Sequence, residues 1–335
     1  MGMEAQPSIG RIRRASTLAR MAVCVAFACL AAVAPVKAQP LQRSADPEGA
    51  ILDELVVQAR LPGPAWWTVS NGESTVFILG VPQGLPKGLV WRDGPLGARL
   101  AGARALILPP EVRIAPLKAL AFFLTHRTAF KSQGPLEQEL PAPLAARFAA
   151  ARQKLGKPAG RYAGWRPGVA GVMLDADVRA AARLELGQPR DHIRALGRKA
   201  HAPEQRIADY DLTPFLHDMA AMSGQAHIDC LEDALDQADA GPDELAASAR
   251  AWASGDVRGA LKAQRGADRC LAALPGIAAL LQRRQADTAE AIRQALSSPG
   301  RTVAVVELRS LLAKDGVLDR LRAQGLSIRT PDRDR

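Results

Sequence analysis

The stretch Thr75–Pro86, TVFILGVPQGLP, constrains the fold more than any other part of the sequence. Val76, Phe77, Ile78 and Leu79 form a short continuous apolar run that stops at Gly80. Such a run, bounded by turn residues, reads as a strand buried on both faces. A tight loop, Val81-Pro82-Gln83-Gly84, follows and leads into Leu85-Pro86. In open α/β sheets ligands collect where loops leave the carboxyl ends of strands. The loop after Gly80 is therefore the first place to look for chemistry.

The segment ahead of this strand is not expected to belong to the fold. Arg11, Arg13, Arg14 and Arg20 precede an apolar run from Met21 to Val33, and Val36-Lys37-Ala38 offers small residues for cleavage before Gln39. This is the pattern of a secretory signal peptide over residues 1–38. The apolar run is too short for a comfortable membrane span, so no stable span is expected after cleavage. Cys24 and Cys29 lack the context of a lipidated cysteine. The chain is thus read as periplasmic or secreted. The leader holds five of the 44 Lys and Arg and one of the 34 Asp and Glu, which leaves the mature chain a net charge of +6. Its positive charges are scattered and aromatics are scarce, at 4%. No basic stripe with stacking residues points to nucleic acid.

Two cysteines remain, Cys230 and Cys270. In an oxidising compartment a lone pair favours a disulfide, and two thiolates without nearby histidine spacing do not complete a zinc shell. Two buried free thiols are the alternative.

Residues 39–63 read as a flexible N-terminal segment. Within it, Leu52–Arg60 resembles the TonB box of outer-membrane receptors and could add a strand to an envelope protein's sheet edge; a plain edge strand or linker is the simpler reading. Trp66–Ser70 and the Thr75 strand flank Asn71-Gly72, a hairpin signal. Here the paired tryptophans cover a sheet face or, less simply, offer a carbohydrate platform. A helix from Trp91 to Ala103 and a strand at Ala105–Leu108 complete a strand–helix–strand unit, which implies a parallel sheet. From about 116 to 297, apolar residues recur at helical spacing. The boundaries marked by Gly and Pro predict helices over Leu117–Phe130, Leu136–Leu155, Pro167–Leu186, Arg190–Ala200, Thr213–Met222, Ile228–Ala238, Asp243–Ala253, Val257–Arg265 and Ile277–Leu296. The five histidines (His126, His192, His201, His217, His227) fall in this region and form no ligand pair on one helix face. Each is read as a surface or capping residue. Strands at Thr302–Val306 and Leu326–Arg329, with a helix over Lys314–Gln324 between them, close the chain. The expected class is α/β (α+β): a central mixed sheet built from both ends of the chain, with a large helical lobe inserted into a single domain over 64–330.

Several of these elements resemble the TraB/GumN family, which includes the Tiki-type metalloproteases. The likeness is carried by Pro64-Ala65-Trp66, the Thr75–Gly80 strand, Leu85-Pro86 with Trp91, and Thr302–Val306 leading to Asp315-Gly316-Val317-Leu318. Leu280–Ile292 is similar to the family's penultimate helix, whose Arg-Asn pair would fall on Arg284-Gln285. The resemblance implies a Gly-x-x-His after the first strand, a Glu closing the next, and a histidine in the loop after the late strand. Imidazole and carboxylate there would hold a metal that activates water. This chain has Gln83 in the first position, Pro109 in the second and Ser310 in the third. Gln83 neither titrates near neutral pH nor replaces imidazole as a ligand.

The expectation is therefore a family member with a degenerate metal site and no cofactor, serving as a non-catalytic module that binds a peptide or envelope protein. Its candidate cleft is Gly80, Gln83, Glu111, Arg284, Glu307, Arg309 and Ser310. A Ser without a neighbouring His is not a nucleophile on sequence grounds. The alternative is a divergent metal-dependent peptidase or hydrolase whose ligands lie elsewhere.

Overall fold

A computed structural model describes residues 51, 52, 55, 63–113, 115–132, 134–263 and 268–331. The leader and most of Leu52–Arg60 lie outside the described residues. Of that segment, Leu52 and Leu55 are described, and both are engaged by this chain's own core. The Leu52 amide donates to Leu312 O at 2.9 Å, and Leu55 is fully buried.

The apolar run forms the centre of the structure. β2 (Ser74–Val81) pairs antiparallel with β1 (Trp66–Ser70) and parallel with β9 (Gly300–Glu307). The full order of the main sheet is β10-β1-β2-β9-β4-β7, with β4 at Ala105–Ile107, β7 at Glu204–Gln205 and β10 at Ser327–Arg329. It is a mixed α/β sheet, as the sequence predicts, and both ends of the chain contribute strands. One arrangement is subtler than the local pattern suggests. β4 does not pair with β2; β9 inserts between them, and Ala304 is opposite Ile78 on one side and Ile107 on the other.

Burial explains why β2 tolerates so little polarity. Its first residues alternate between half-exposed and buried, while Ile78 to Val81 have both faces covered. Trp66 and Trp67 are buried at 7% and 0% exposure, so they pack as core and leave no platform for a sugar. At Gly80 a side chain has no room: a Cβ would lie 2.6 Å from Leu308 Cδ1 and 3.1 Å from Trp67 Cζ3.

A short helix, α1 (Gly94–Leu100), links β2 and the small strand β3 (Gly84–Pro86) to β4, and the chain between β5 (Glu111–Arg113) and β9 is mostly helical. α2 (Pro116–Thr125) and α3 (Arg127–Phe130) divide the first predicted helix. Pro141 divides the second into α4 (Leu136–Glu139) and α5 (Ala142–Lys154), because a proline ring excludes the preceding residue from helical geometry. α6 (Pro167–Ala181) ends earlier than expected. Arg183 takes a left-handed φ of 54°, and Leu184–Leu186 becomes β6, which pairs antiparallel with β3. α7 (Gln188–Lys199), α8 (Thr213–Ala220) and the small strand β8 (Asp209–Asp211, parallel to β5) follow.

The longest helical run, α9 (Gly224–Ala253), is broken at Gly241, whose φ of 83° precedes Pro242. The two predicted helices are its two halves. α10 (Val257–Leu261), α11 (Asp268–Ala272) and α12 (Pro275–Ala295) return the chain to β9, and α13 (Leu308–Leu312) and α14 (Val317–Ala323) lie between β9 and β10. Among the described residues no helix is long and apolar enough to cross a membrane.

The helical region rests on a close contact between α6 and α9. Gly171 has its Cα against the backbone of Cys230 and Leu231, where an added Cβ would be 2.8 Å from Cys230 O. Cys230 is disulfide-bonded to Cys270 on α11, as the cysteine count predicts. Asp233, one turn further along α9, accepts from the Cys270 amide at 2.7 Å and from Arg269 Nε at 2.6 Å. A second polar anchor lies on α6: buried Asp177 accepts from Tyr162 at 2.8 Å and from both Arg161 Nε and Nη2 at 3.0 Å.

Candidate functional site

The carboxyl edge of β9 brings together three of the predicted cleft residues. Glu307 ends the strand and caps α13: its carboxylate accepts from the amides of Arg309 and Ser310 at 3.3 Å and from Ser310 Oγ at 2.6 Å. A carboxylate suits this place because the first amides of a helix have no partner within it. Arg284, on α12, lines the same small cavity as Glu307 and Ser310, together with Gln285, Thr288 and Pro109. Gln285 is 4% exposed, and neither its Nε2 nor Arg284 Nε has a hydrogen-bond partner. The cavity measures about 20 Å³. That is space for about one water, not for a substrate.

The other predicted residues are placed elsewhere. Gln83 is exposed, with Oε1 accepting from Arg179 Nη1 at 3.4 Å. Gly80 is sealed by Leu308 and Trp67, and its carbonyl accepts from the Trp252 indole at 2.7 Å. Arg309 is buried at 4% exposure. Glu111 borders a separate recess. There Arg113 bonds its carboxylate at 2.9 Å and Arg194 at 3.2 Å, and Arg190 is 3.5 Å away. The Arg113 hydrogen bond, helped by Arg194, holds the Glu111 carboxyl down at about 2. It stays ionised at neutral pH and has no proton to give as a general acid. Its role is to tie β5 to α7, since Arg194 also grips Glu204 of β7 with two bonds of 2.9 Å.

The metal centre that the resemblance implies does not fit these residues. Pro109 offers no ligand atom, and Gln83 is turned to solvent and Arg179. The Ser310 hydroxyl is a donor to Glu307. Among the described residues no group of three or more His, Cys, Asp or Glu is placed to hold a metal ion.

One histidine takes the capping half of its sequence reading, from a buried position. His227 is not a surface group; it is 4% exposed and caps a neighbouring helix, its Nδ1 accepting from the Gly168 amide of α6 at 3.3 Å. Burial, with Arg166 nearby, pushes its pKa down to about 4, so the imidazole is neutral at pH 7. Beside it Lys131, Arg166 and the first turn of α9 border a cavity of about 640 Å³. No spacing in the sequence announces this assembly, because its parts come from three separate segments.

The mixed six-stranded sheet, with a helical region set between β4 and β9 and a capped helix at the β9 edge, defines an α/β protein of a particular build. The sequence profile of the TraB/PrgY/gumN family matches residues 65–330, and the chain belongs to that family. Comparison with curated proteins and with solved structures gave no match.

Proposed function

We propose that this family member is an exported binding or interaction module of the cell envelope, directed at a peptide or protein partner, whose metal site has degenerated and which does not catalyse hydrolysis. The observation that carries the reading is the state of the β9 edge. Glu307 and Ser310 satisfy one another there, and the space beside them holds about one water. A hydrolase needs an activated water next to a bound carbonyl, with a base or metal in reach. Neither the room nor the donor set for that arrangement is present at this edge. Export rests on the basic and apolar leader with its small-residue cleavage site.

The test is metal analysis of the purified mature protein together with a peptide-cleavage screen with and without added Mn²⁺ or Co²⁺. Substoichiometric metal and no metal-dependent cleavage are expected. Stoichiometric metal that disappears in Gln83→Ala, or cleavage that requires metal, overturns the reading.

A further inference from the structure

We propose that the cavity between α3, α6 and α9 is a binding site for a small organic anion, whose carboxylate or phosphate is held by Lys131, Arg166 and His227. Three observations converge on it. The first is size: at about 640 Å³ the cavity lies in the range that encloses a small organic ligand, with Pro141, Pro167 and Ile228 as apolar wall.

The second is charge. Lys131 and Arg166 are the cations at its border, and two helices, α6 and α9, begin there, at Pro167 and Gly224. Helix starts carry partial positive charge, here with the Gly168 amide donating to His227 and the Ala226 amide to Ser223 Oγ. The single bordering acid, Glu139, is turned to its own loop, where it accepts from the Ser132 hydroxyl and from the Gly134 amide at 3.3 Å. Lys131 Nζ rests on the Trp165 ring, 3.3 Å from its centroid, and Arg166 Nε reaches the Lys131 carbonyl at 3.4 Å. The two cations are thus held near one another without a carboxylate between them.

The third is His227. Because Nδ1 accepts the Gly168 amide, the ring's proton in the neutral form is on Nε2. Among the described residues nothing accepts from that N–H. His227 borders the cavity, so an anion bound there can accept from that N–H. A neutral N–H donor can hydrogen-bond an anion without burying a further charge. The site shares no bordering residue with the β9 edge. Metal-dependent cleavage would therefore sink the proposed function and leave this site standing, and a lack of anion binding would do the reverse.

Isothermal titration of the mature protein at low ionic strength, with benzoate, glycerol 3-phosphate and inorganic phosphate as probes, tests the proposal. One organic probe is expected to bind at least tenfold more tightly than inorganic phosphate, and whichever it is identifies the anionic group. Lys131→Gln and Arg166→Gln sit at the border rather than in the core, so both should fold and each should weaken binding about tenfold or more. His227→Gln should weaken it as well, with folding checked by circular dichroism. Absence of heat with all three probes, inorganic phosphate binding as tightly as the organic anions, or affinity unchanged in the Lys131→Gln/Arg166→Gln double variant would each overturn the site.

Discussion

Two glycine-to-alanine substitutions in helices should shift stability in opposite directions. Gly171 lies within α6 and faces the backbone of α9. An alanine Cβ there would be 2.8 Å from Cys230 O, 3.1 Å from Leu231 Cα and 3.2 Å from Cys230 C. These are backbone atoms of a hydrogen-bonded helix that a disulfide also holds through Cys230, so no side chain can swing aside; the helices must separate by several tenths of an ångström. Overpacking of this kind costs about 1–3 kcal/mol, and a rigid neighbour argues for the upper end. Alanine's better helix propensity returns about 1 kcal/mol. The net expectation is a loss of about 2 kcal/mol, a fall in Tm of roughly 4–8 °C for a chain of this size. Gly97 in α1 has nothing within 4 Å of its would-be Cβ, so Gly97→Ala keeps the propensity gain without the clash and should stabilise by up to about 1 kcal/mol. Thermal and urea unfolding followed by far-UV circular dichroism measure both. If Gly171→Ala matched Gly97→Ala or raised Tm, the close crossing of α6 and α9 would be refuted.

Two further outcomes follow from the same region. The Cys230–Cys270 bond closes a 40-residue separation, so Cys230→Ser/Cys270→Ser should lose about 4 kcal/mol by denaturant unfolding, against an oxidised wild type. An unchanged midpoint would show that the bond constrains nothing. His227 titrates near 6.5 unfolded but is held near 4 when folded by burial and Arg166, with Lys131 and Glu139 also bordering its cavity. The unfolded chain binds the proton first, so this contribution is complete above pH 6.5 and is lost as pH falls from there toward 4, by about 3 kcal/mol. Urea midpoints across that window in wild type and His227→Gln measure it. A variant with the same slope as wild type would remove His227 as the cause.

The sheet was largely legible because its central strands are marked by uninterrupted apolar runs. Val76–Leu79 and Thr302–Val306 can be read as buried strands without their partners, and the helix starts at Pro167 and Thr213 follow from residues that punctuate any helix. What escaped were the short strands that form the two small sheets and the edge strand Glu204–Gln205. Leu184–Leu186 carries a helical pattern yet pairs as a strand with β3, far earlier in the chain, and Glu111–Arg113 pairs with the equally distant Asp209–Asp211. Local propensity says little about such pairs. The site divides along the same line. Glu307 and Ser310 are three residues apart and could be read as neighbours. Gln83 belongs to the loop between β2 and β3, where it is exposed and accepts from Arg179. His227 is hardest to read, since its burial is decided by Gly168, which lacks the side chain that would displace it.

The break in α9 links these observations. Before Gly241 the helix packs Leu231, Ala234, Leu235 and Ala238 into a core with α5 and α6, and its first turn brings His227 to the anion cavity. After Pro242 it packs Ala249 and Trp252 into the core of the sheet. A straight helix holds one apolar stripe on one line and would serve one of these cores at the other's expense. The left-handed residue at Gly241, a conformation that a side chain strains, re-aims the second half so that Trp252 reaches the Gly80 carbonyl. Trp252 and Leu308 together close the carboxyl end of β2, the place where an open α/β sheet offers its binding crevice. With that crevice filled from the C-terminal end of α9, recognition is expected at the cavity of about 640 Å³ beside the helix's N-terminal end.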